Sequence, residues 1–166
     1  MRRTVGILAL VVLVAAWGAA WGAPSLENVL ALRALAFPLG ETEAQIRRNL
    51  GTPARTQVRT LSNPHDPRFT DRITRLVYPN LAVEVFRAGY DGREFVTELT
   101  LTSPKHRLRG GLGVGSSRTE ALRFLGPPHA RDGETDVWTT ESEYQELRLE
   151  YRKGRISQMQ FLSFPD

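Results

Sequence analysis

Four segments of this chain alternate between apolar and polar residues with a period of two. They cover residues 81–86, 96–101, 147–152 and 156–161. This period is typical of a strand with one buried face, so the pattern predicts four β-strands in two pairs. Residues 89–92 and 153–154 separate the strands of each pair and have the composition of hairpin turns. An earlier strand is predicted over residues 73–78, with Val137 and Trp138 as its counterpart.

Helical spacing of apolar residues, together with start and stop signals, predicts three helices. The first covers residues 25–35, where Ser25 is suited to cap the first turn. The second follows Thr42 and the third follows Ser117, and Glu120 completes a capping box with Ser117. Both later helices end at a Leu-Gly-x-Pro sequence. Glycine accepts the left-handed conformation there and proline prevents continuation, which predicts a helix end.

The region around the second and third helices is one motif that occurs twice, 75 residues apart. Residues 39–53 align without a gap on residues 114–128. A period this long indicates a duplicated supersecondary unit. The first copy carries extra residues near 63–72 and a longer hairpin at 89–92. The identical pairs are Gly40/Gly115, Arg48/Arg123, Leu50/Leu125, Gly51/Gly126 and Pro53/Pro128.

The predicted fold is α+β, with two tandem units, each a helix plus an antiparallel meander, and a joined or adjacent sheet. An N-terminal leader precedes them. The expected divisions are residues 1–23 as leader, 24–36 as a lead-in helix, 37–104 as repeat 1, 105–113 as linker and 114–166 as repeat 2.

The pattern Gly-x-Ser/Thr, an apolar residue, Leu-Gly-x-Pro and a three-strand meander resembles the repeat of the SmpA/OmlA family. The structurally similar beta-lactamase inhibitor proteins share this layout and have two copies. The resemblance covers residues 37–166 and implies an exported, non-catalytic module that binds a protein partner. It depends on Gly40, Thr42, Ile46, Leu50, Gly51 and Pro53, and on Gly115, Ser117, Ala121, Leu125, Gly126 and Pro128.

The first residues have the organisation of a secretory leader. Arg2 and Arg3 precede an apolar stretch over residues 5–16, and small residues follow up to Ala23. This arrangement predicts a cleaved signal peptide. The uncharged stretch of residues 4–25 is also long enough for a retained membrane anchor. Either alternative places the remainder of the chain outside the cytoplasm, in the periplasm or secreted, with membrane attachment only if the leader is retained.

Composition removes several classes of function. The 166 residues include no cysteine, which excludes disulfides, thiolate metal sites and a cysteine nucleophile. The formal net charge of +4 falls by two if Arg2 and Arg3 leave with the leader. The remaining charges alternate in sign without a dense basic run, so we expect no nucleic-acid partner.

Alternation assigns the outward residues of the strands to an open face of the sheet. Such a face is either simply solvated or forms a broad polar surface with Phe86 as an anchor, suited to an envelope or secreted protein. The candidate binding residues are Glu84, Phe86, Glu98, Arg148, Glu150, Arg152, Gln158 and Gln160.

The linker offers an alternative site. Lys105, Arg107 and Arg109 precede a glycine-rich segment at residues 110–115 and are suited to an anionic lipid or glycan. The same residues are also typical of a solvated basic linker. The glycine-rich segment lacks the lysine of a phosphate-binding loop, so it is interpreted as a flexible connection.

Residues that would carry catalysis are sparse. His65, His106 and His129 all fall in predicted loops, without a nucleophile or acid cluster at catalytic or metal-ligand spacing. The sequence therefore indicates no cofactor, no metal and no enzyme, and a hydrolase is the third and least favoured interpretation.

Overall fold

The computed structural model describes residues 25–140 and 144–164. The predicted leader lies outside the described residues. Within them, no helix has the length and apolar character needed to cross a membrane. The helices are α1 (Leu26–Leu30), α2 (Glu43–Leu50) and α3 (Arg118–Leu125). The strands are β1 (Arg55–Ser62), β2 (Thr70–Val77), β3 (Leu81–Arg87), β4 (Glu94–Leu101), β5 (Ala130–Asp132), β6 (Thr135–Thr139), β7 (Gln145–Arg152) and β8 (Arg155–Ser163).

The strands form one eight-stranded antiparallel sheet in the order β1-β2-β3-β4-β8-β7-β6-β5. The two halves of the sheet join where β4 pairs with β8, with Leu99 opposite Phe161 and Leu101 opposite Met159. The predicted antiparallel pairing and joined sheet are therefore confirmed. One wide sheet with three short helices in the described residues is mostly β, and this corrects the α+β class expected from the sequence.

One face of the sheet packs against the helices. Val29 of α1, Ile46 of α2 and Ala121 of α3 join the strand residues in a single hydrophobic core. We call this side the helix face and the opposite side the open face. Every strand residue that the sequence assigned to the helix side is buried, as predicted: Leu81, Val83, Val85, Leu99, Leu101, Leu147, Leu149, Tyr151, Met159 and Phe161.

The predicted helix signals have their expected roles in α2 and α3. The Thr42 side chain accepts a hydrogen bond from the Gln45 backbone N–H. Ser117 and Glu120 form both hydrogen bonds of a capping box. The helices end at Gly51 and Gly126, whose φ angles of 83° and 79° are those that glycine accepts without strain.

An aromatic side chain from the sheet holds each of these helix ends. The Tyr78 hydroxyl donates to the Gly51 carbonyl at 3.2 Å. The Trp138 indole N–H donates to the Gly126 carbonyl at 3.3 Å. Trp138 is fully buried and Tyr78 is partly buried against the hydrophobic core, so each aromatic links a helix end to the sheet.

The lead-in segment differs from the prediction, because α1 ends at Leu30 rather than at residue 35. Leu32 has a φ of 59°, which is incompatible with a continuing right-handed helix. Beyond it, Leu35 forms an isolated β-bridge with Leu108. Backbone pairing with the 105–113 segment therefore replaces the last predicted turns.

The 105–113 segment is also different from the flexible, solvated linker expected. Leu108 and Leu112 belong to the hydrophobic core. The Arg109 N–H donates to the Ala34 carbonyl at 2.7 Å. The segment is thus packed on the hydrophobic core and hydrogen-bonded to the lead-in segment.

Two strands were missed by the sequence analysis, β1 and β5, which form the two edges of the sheet. Every residue of β1 is exposed, so its sequence carries no alternation between a buried and a solvated face. β5 contains only three residues and is also exposed. Each half therefore contributes four strands rather than the predicted three.

Candidate binding face

The predicted protein-binding residues lie on the open face of four strands that are adjacent in the sheet. Each alternates along its strand with residues of the helix face. The structure thus brings together residues that are far apart in sequence. They are distributed as Glu84 and Phe86 on β3, Glu98 on β4, Gln158 and Gln160 on β8, and Arg148, Glu150 and Arg152 on β7.

An acidic pair marks the first half of the open face. Glu84 lies directly opposite Glu98 in the β3–β4 register. Like charges in this position repel each other. Arg75 of β2 contacts both, at 3.1 Å from the Glu98 carboxylate and 3.9 Å from that of Glu84. Arg59 of β1 adds a second contact to Glu84 at 3.1 Å, so the arginines offset the repulsion.

Glu98 is further stabilised as a carboxylate. Partial burial works to raise its pKa, but the Thr100 hydroxyl and the Arg75 guanidinium outweigh burial and hold the pKa of Glu98 below its ordinary value. The Thr100 hydroxyl donates to the carboxylate at 2.7 Å. Gln160 contributes from the other half of the sheet. The polar network therefore crosses the junction between the two halves.

The second half of the open face contains a polar groove of about 370 Å³. Arg148 lies opposite Gln160, and Glu150 lies opposite Gln158. Arg148 forms an ion pair with Glu146. Glu146 was not among the predicted binding residues, although it precedes Arg148 by two residues and therefore lies on the same strand face.

Phe86 does not stand alone on the open face. Its ring stacks on Phe95, with centroids 5.0 Å apart and planes inclined by 18°. Ile73, opposite Phe86 on the other side, is almost fully buried. These three side chains form an apolar strip beside the acidic pair, which enlarges the single anchor predicted from the sequence.

Phe95 was missed because of a β-bulge. The register of β3 and β4 shifts between Glu84 and Val85, so that Glu84 faces Glu98 while Val85 faces Val96. Strict alternation would place Phe95 on the same side as Leu99. The extra residue in β4 instead turns Phe95 to the open face, where it meets Phe86.

Arg152 occupies the margin of the candidate face. It lies opposite Arg155 at the end of the β7–β8 hairpin. Its guanidinium is 3.8 Å from the Glu150 carboxylate and its side chain is 81% exposed. At this exposure the ion pair contributes little, and the Arg152 charge is available to solvent.

The basic residues of the linker have a different environment. The Arg107 guanidinium donates to the carbonyls of Pro104 and Gly111. Arg109 donates to the Leu35 carbonyl at 3.2 Å. Two of the three predicted anion-binding side chains therefore bond backbone carbonyls, Arg107 around the linker and Arg109 in the lead-in segment. The hypothesis that Lys105, Arg107 and Arg109 bind an anionic lipid or glycan stays a prediction.

The histidines are dispersed. His129 accepts a hydrogen bond from the Thr139 N–H at 2.8 Å. The ring of His106 packs on Phe37, and burial, aided by the Lys105 charge, lowers its pKa. Within residues 25–140 and 144–164, no three histidine, aspartate or glutamate side chains are grouped as metal ligands.

Comparison with known proteins finds no matching protein-family model, no matching curated protein and no matching solved structure.

Proposed function

We propose that the chain is an exported, non-catalytic binding module of the bacterial cell envelope, periplasmic or secreted, that holds a protein partner on its open face. The observation that carries the proposal is the convergence of eight widely separated residues on four adjacent strands, with a polar network beside an apolar strip. Apolar anchors bordered by polar groups are typical of protein interfaces.

We further propose that the sheet arose by duplication of a unit of helix and antiparallel strands, as the resemblance to the SmpA/OmlA family implies. Two features support this. In each half a helix is followed by four antiparallel strands, and the last strands of the halves are joined. The contacts Tyr78 to Gly51 and Trp138 to Gly126 are also equivalent.

The paired charges of the open face support recognition rather than turnover. Glu84 and Glu98 are fixed by Arg59 and Arg75, and these ion pairs position the carboxylates before a partner arrives. Preorganisation of this kind lowers the entropic cost of binding. The stacked rings of Phe86 and Phe95 offer a rigid apolar contact.

The test is site-specific photo-crosslinking of the chain in its native envelope. A photoreactive amino acid replaces Phe86 or Arg148 on the open face, and Arg48, which is exposed on α2, serves as the control position. We expect Phe86 and Arg148 to form an adduct with the same protein, identified by mass spectrometry, and Arg48 to form none. Adducts restricted to Arg48 would contradict the proposal.

A pair of charge reversals gives the matched control. We expect Arg148→Glu to weaken the adduct from position 86 at least tenfold, or about 1.4 kcal/mol, because it places an additional negative charge beside Glu146. Arg48→Glu changes the net charge equally on the helix side and should leave the adduct unchanged. Equal effects of the two substitutions would indicate a non-specific electrostatic association.

A further inference from the structure

Two segments without counterpart in the second half of the chain meet at one end of the sheet. They are the loop at residues 63–69 and the hairpin at residues 88–93. Asp71, 2% exposed, joins them. Its carboxylate accepts hydrogen bonds from the Asn63 side-chain amide at 3.0 Å and from the Gly89 N–H at 2.8 Å. The rings of Phe69 and Tyr90 add an edge-to-face contact, with centroids 6.1 Å apart.

The hairpin borders a shallow, solvent-open pocket of about 470 Å³. Its walls are Thr70 and Arg72 of β2, Arg87 of β3, and residues 88–92. The backbone is packed closely here, because a Cβ atom on Gly89 would lie 2.1 Å from the Thr70 carbonyl oxygen. The pocket is therefore a fixed feature of the hairpin rather than a gap between independent loops.

Two arginines line this pocket. Arg72 and Arg87 lie directly opposite each other in the β2–β3 register. Like charges in this position destabilise a strand pair. The only carboxylate paired with Arg72 in the described part of the chain is that of Glu43, at 3.4 Å. The Arg87 guanidinium has no hydrogen-bond or ion-pair partner among residues 25–140 and 144–164.

Arg72 also has an unsatisfied donor. Its Nε atom is buried and makes no hydrogen bond. A buried donor without a partner costs free energy comparable to a lost hydrogen bond, so such groups call for an explanation. The Nε itself is closed off from the pocket, so a ligand would contact the terminal nitrogens of Arg72, whose side chain is 40% exposed.

Apart from Glu43, the neighbouring acids are engaged by groups other than the two arginines. The Asp91 carboxylate forms an ion pair with Arg93 and also accepts the Arg93 backbone N–H. Glu94 lies opposite Arg87, but its carboxylate accepts the Glu43 N–H at the start of α2 at 2.9 Å. Among the described residues, Arg87 is thus the positive charge of this pocket that has no acidic partner.

We propose that this pocket binds an oxyanion, a phosphate ester or carboxylate group, between the guanidinium groups of Arg72 and Arg87. Planar guanidinium groups bind such anions through paired, charge-assisted hydrogen bonds. Tyr90, 61% exposed beside the pocket, provides a surface for the remainder of the ligand. This site lies apart from the open face and does not depend on the function proposed for that face.

The experiment is an amide NMR titration of the full chain, produced with its own leader, at constant ionic strength. The probes are inorganic phosphate and acetate. We expect saturable shifts confined to residues 88–92 and their neighbours. Arg87→Ala should weaken binding at least tenfold, because the lost guanidinium carries the paired hydrogen bonds. Arg55→Ala removes an exposed arginine of β1 outside the pocket and should leave the affinity unchanged.

A second substitution tests whether the loss of binding in Arg87→Ala has an indirect, structural cause. Arg72→Lys keeps the positive charge near Glu43 but removes the planar guanidinium fork, and we expect it also to weaken binding. Binding of both probes identifies a general oxyanion site, whereas binding of phosphate alone identifies a phosphate ester as the ligand group. The proposal is overturned if no saturable shift occurs at residues 88–92 with either probe. It is equally overturned if Arg87→Ala retains the affinity, or if Arg55→Ala loses it to the same extent.

Discussion

Arg118, the first residue of α3, donates hydrogen bonds to both carboxylate oxygens of Asp136, each at 2.8 Å. Asp136 is fully buried on β6. Arg131 of β5 adds a third bond at 2.7 Å, and the Arg118 guanidinium also lies over the Tyr151 ring. One carboxylate therefore connects a helix start, an edge strand and the core.

We expect Asp136→Ala to destabilise the fold by about 3 kcal/mol, as measured for broken buried ion pairs. The substitution leaves Arg118 and Arg131 without their anion and creates a small cavity. Urea unfolding measures the loss. Asp132→Ala is the matched control, because Asp132 is exposed on β5 and its removal should cost less than about 0.5 kcal/mol. Similar midpoints for the two variants would contradict a structural role for Asp136.

The same carboxylate makes stability depend on acid. Burial works to raise the pKa of Asp136, but the hydrogen bonds from Arg118 and Arg131 outweigh it and hold the pKa below its ordinary value. A group with a lowered pKa in the folded state stabilises the fold above its unfolded pKa, and this contribution is lost as the pH falls through the folded pKa. We therefore expect the free energy of unfolding to decrease below about pH 4.

Comparison with Asp136→Ala isolates this contribution, because Glu98 also has a lowered pKa and adds to the acid dependence. We expect the free energy of unfolding, measured with denaturant between pH 2 and 7, to change less steeply with pH in the variant than in the parent chain. If the free energy of unfolding of the variant depends on pH as steeply as that of the parent chain, other carboxylates cause the acid sensitivity.

The contacts of Tyr78 with Gly51 and of Trp138 with Gly126 are equivalent, but we expect their loss to reduce the stability of the fold by different amounts. Trp138→Phe removes the hydrogen bond to Gly126 and leaves unfilled space in the core, so we expect a loss of about 2 kcal/mol. Tyr78→Phe removes only the hydroxyl that donates to Gly51, and the expected loss is about 1 kcal/mol. Thermal or urea unfolding of both variants measures the difference. A larger cost for Tyr78→Phe would contradict this ranking.

The central strands were predictable because each has one buried and one solvated face. Leu147, Leu149 and Met159 carry that pattern in the sequence and are fully buried in the structure. β1 carries no such signal because all of it is exposed, and Val58 is 58% exposed. The end of α1 depends on the backbone of Leu32 and on pairing with a distant segment. Propensity alone does not encode either feature.

Some residues of the candidate sites were also predictable from the sequence and others were not. Outward residues such as Glu84 and Arg148 follow from alternation alone, so the open face was predictable. The contact of Phe86 with Phe95 depends on a bulge in β4, and the approach of Arg72 to Arg87 depends on the β2–β3 register. Register is a tertiary property, so alternation along a single strand predicts neither pair.

The contact between Gly89 and Thr70 supplies a prediction about the pocket wall. A methyl group at position 89 would lie 2.1 Å from the Thr70 carbonyl oxygen, so the hairpin must move away from β2. We expect Gly89→Ala to break the Asp71 hydrogen bond and to accelerate amide hydrogen exchange across residues 88–93. Gly111→Ala is the control, because it meets no atom within 4 Å and introduces only the strain of a φ of 93°, about 1 kcal/mol. Exchange in the hairpin should be unaffected by Gly111→Ala. If Gly89→Ala leaves it equally slow, Asp71 and Gly89 do not hold the two segments together.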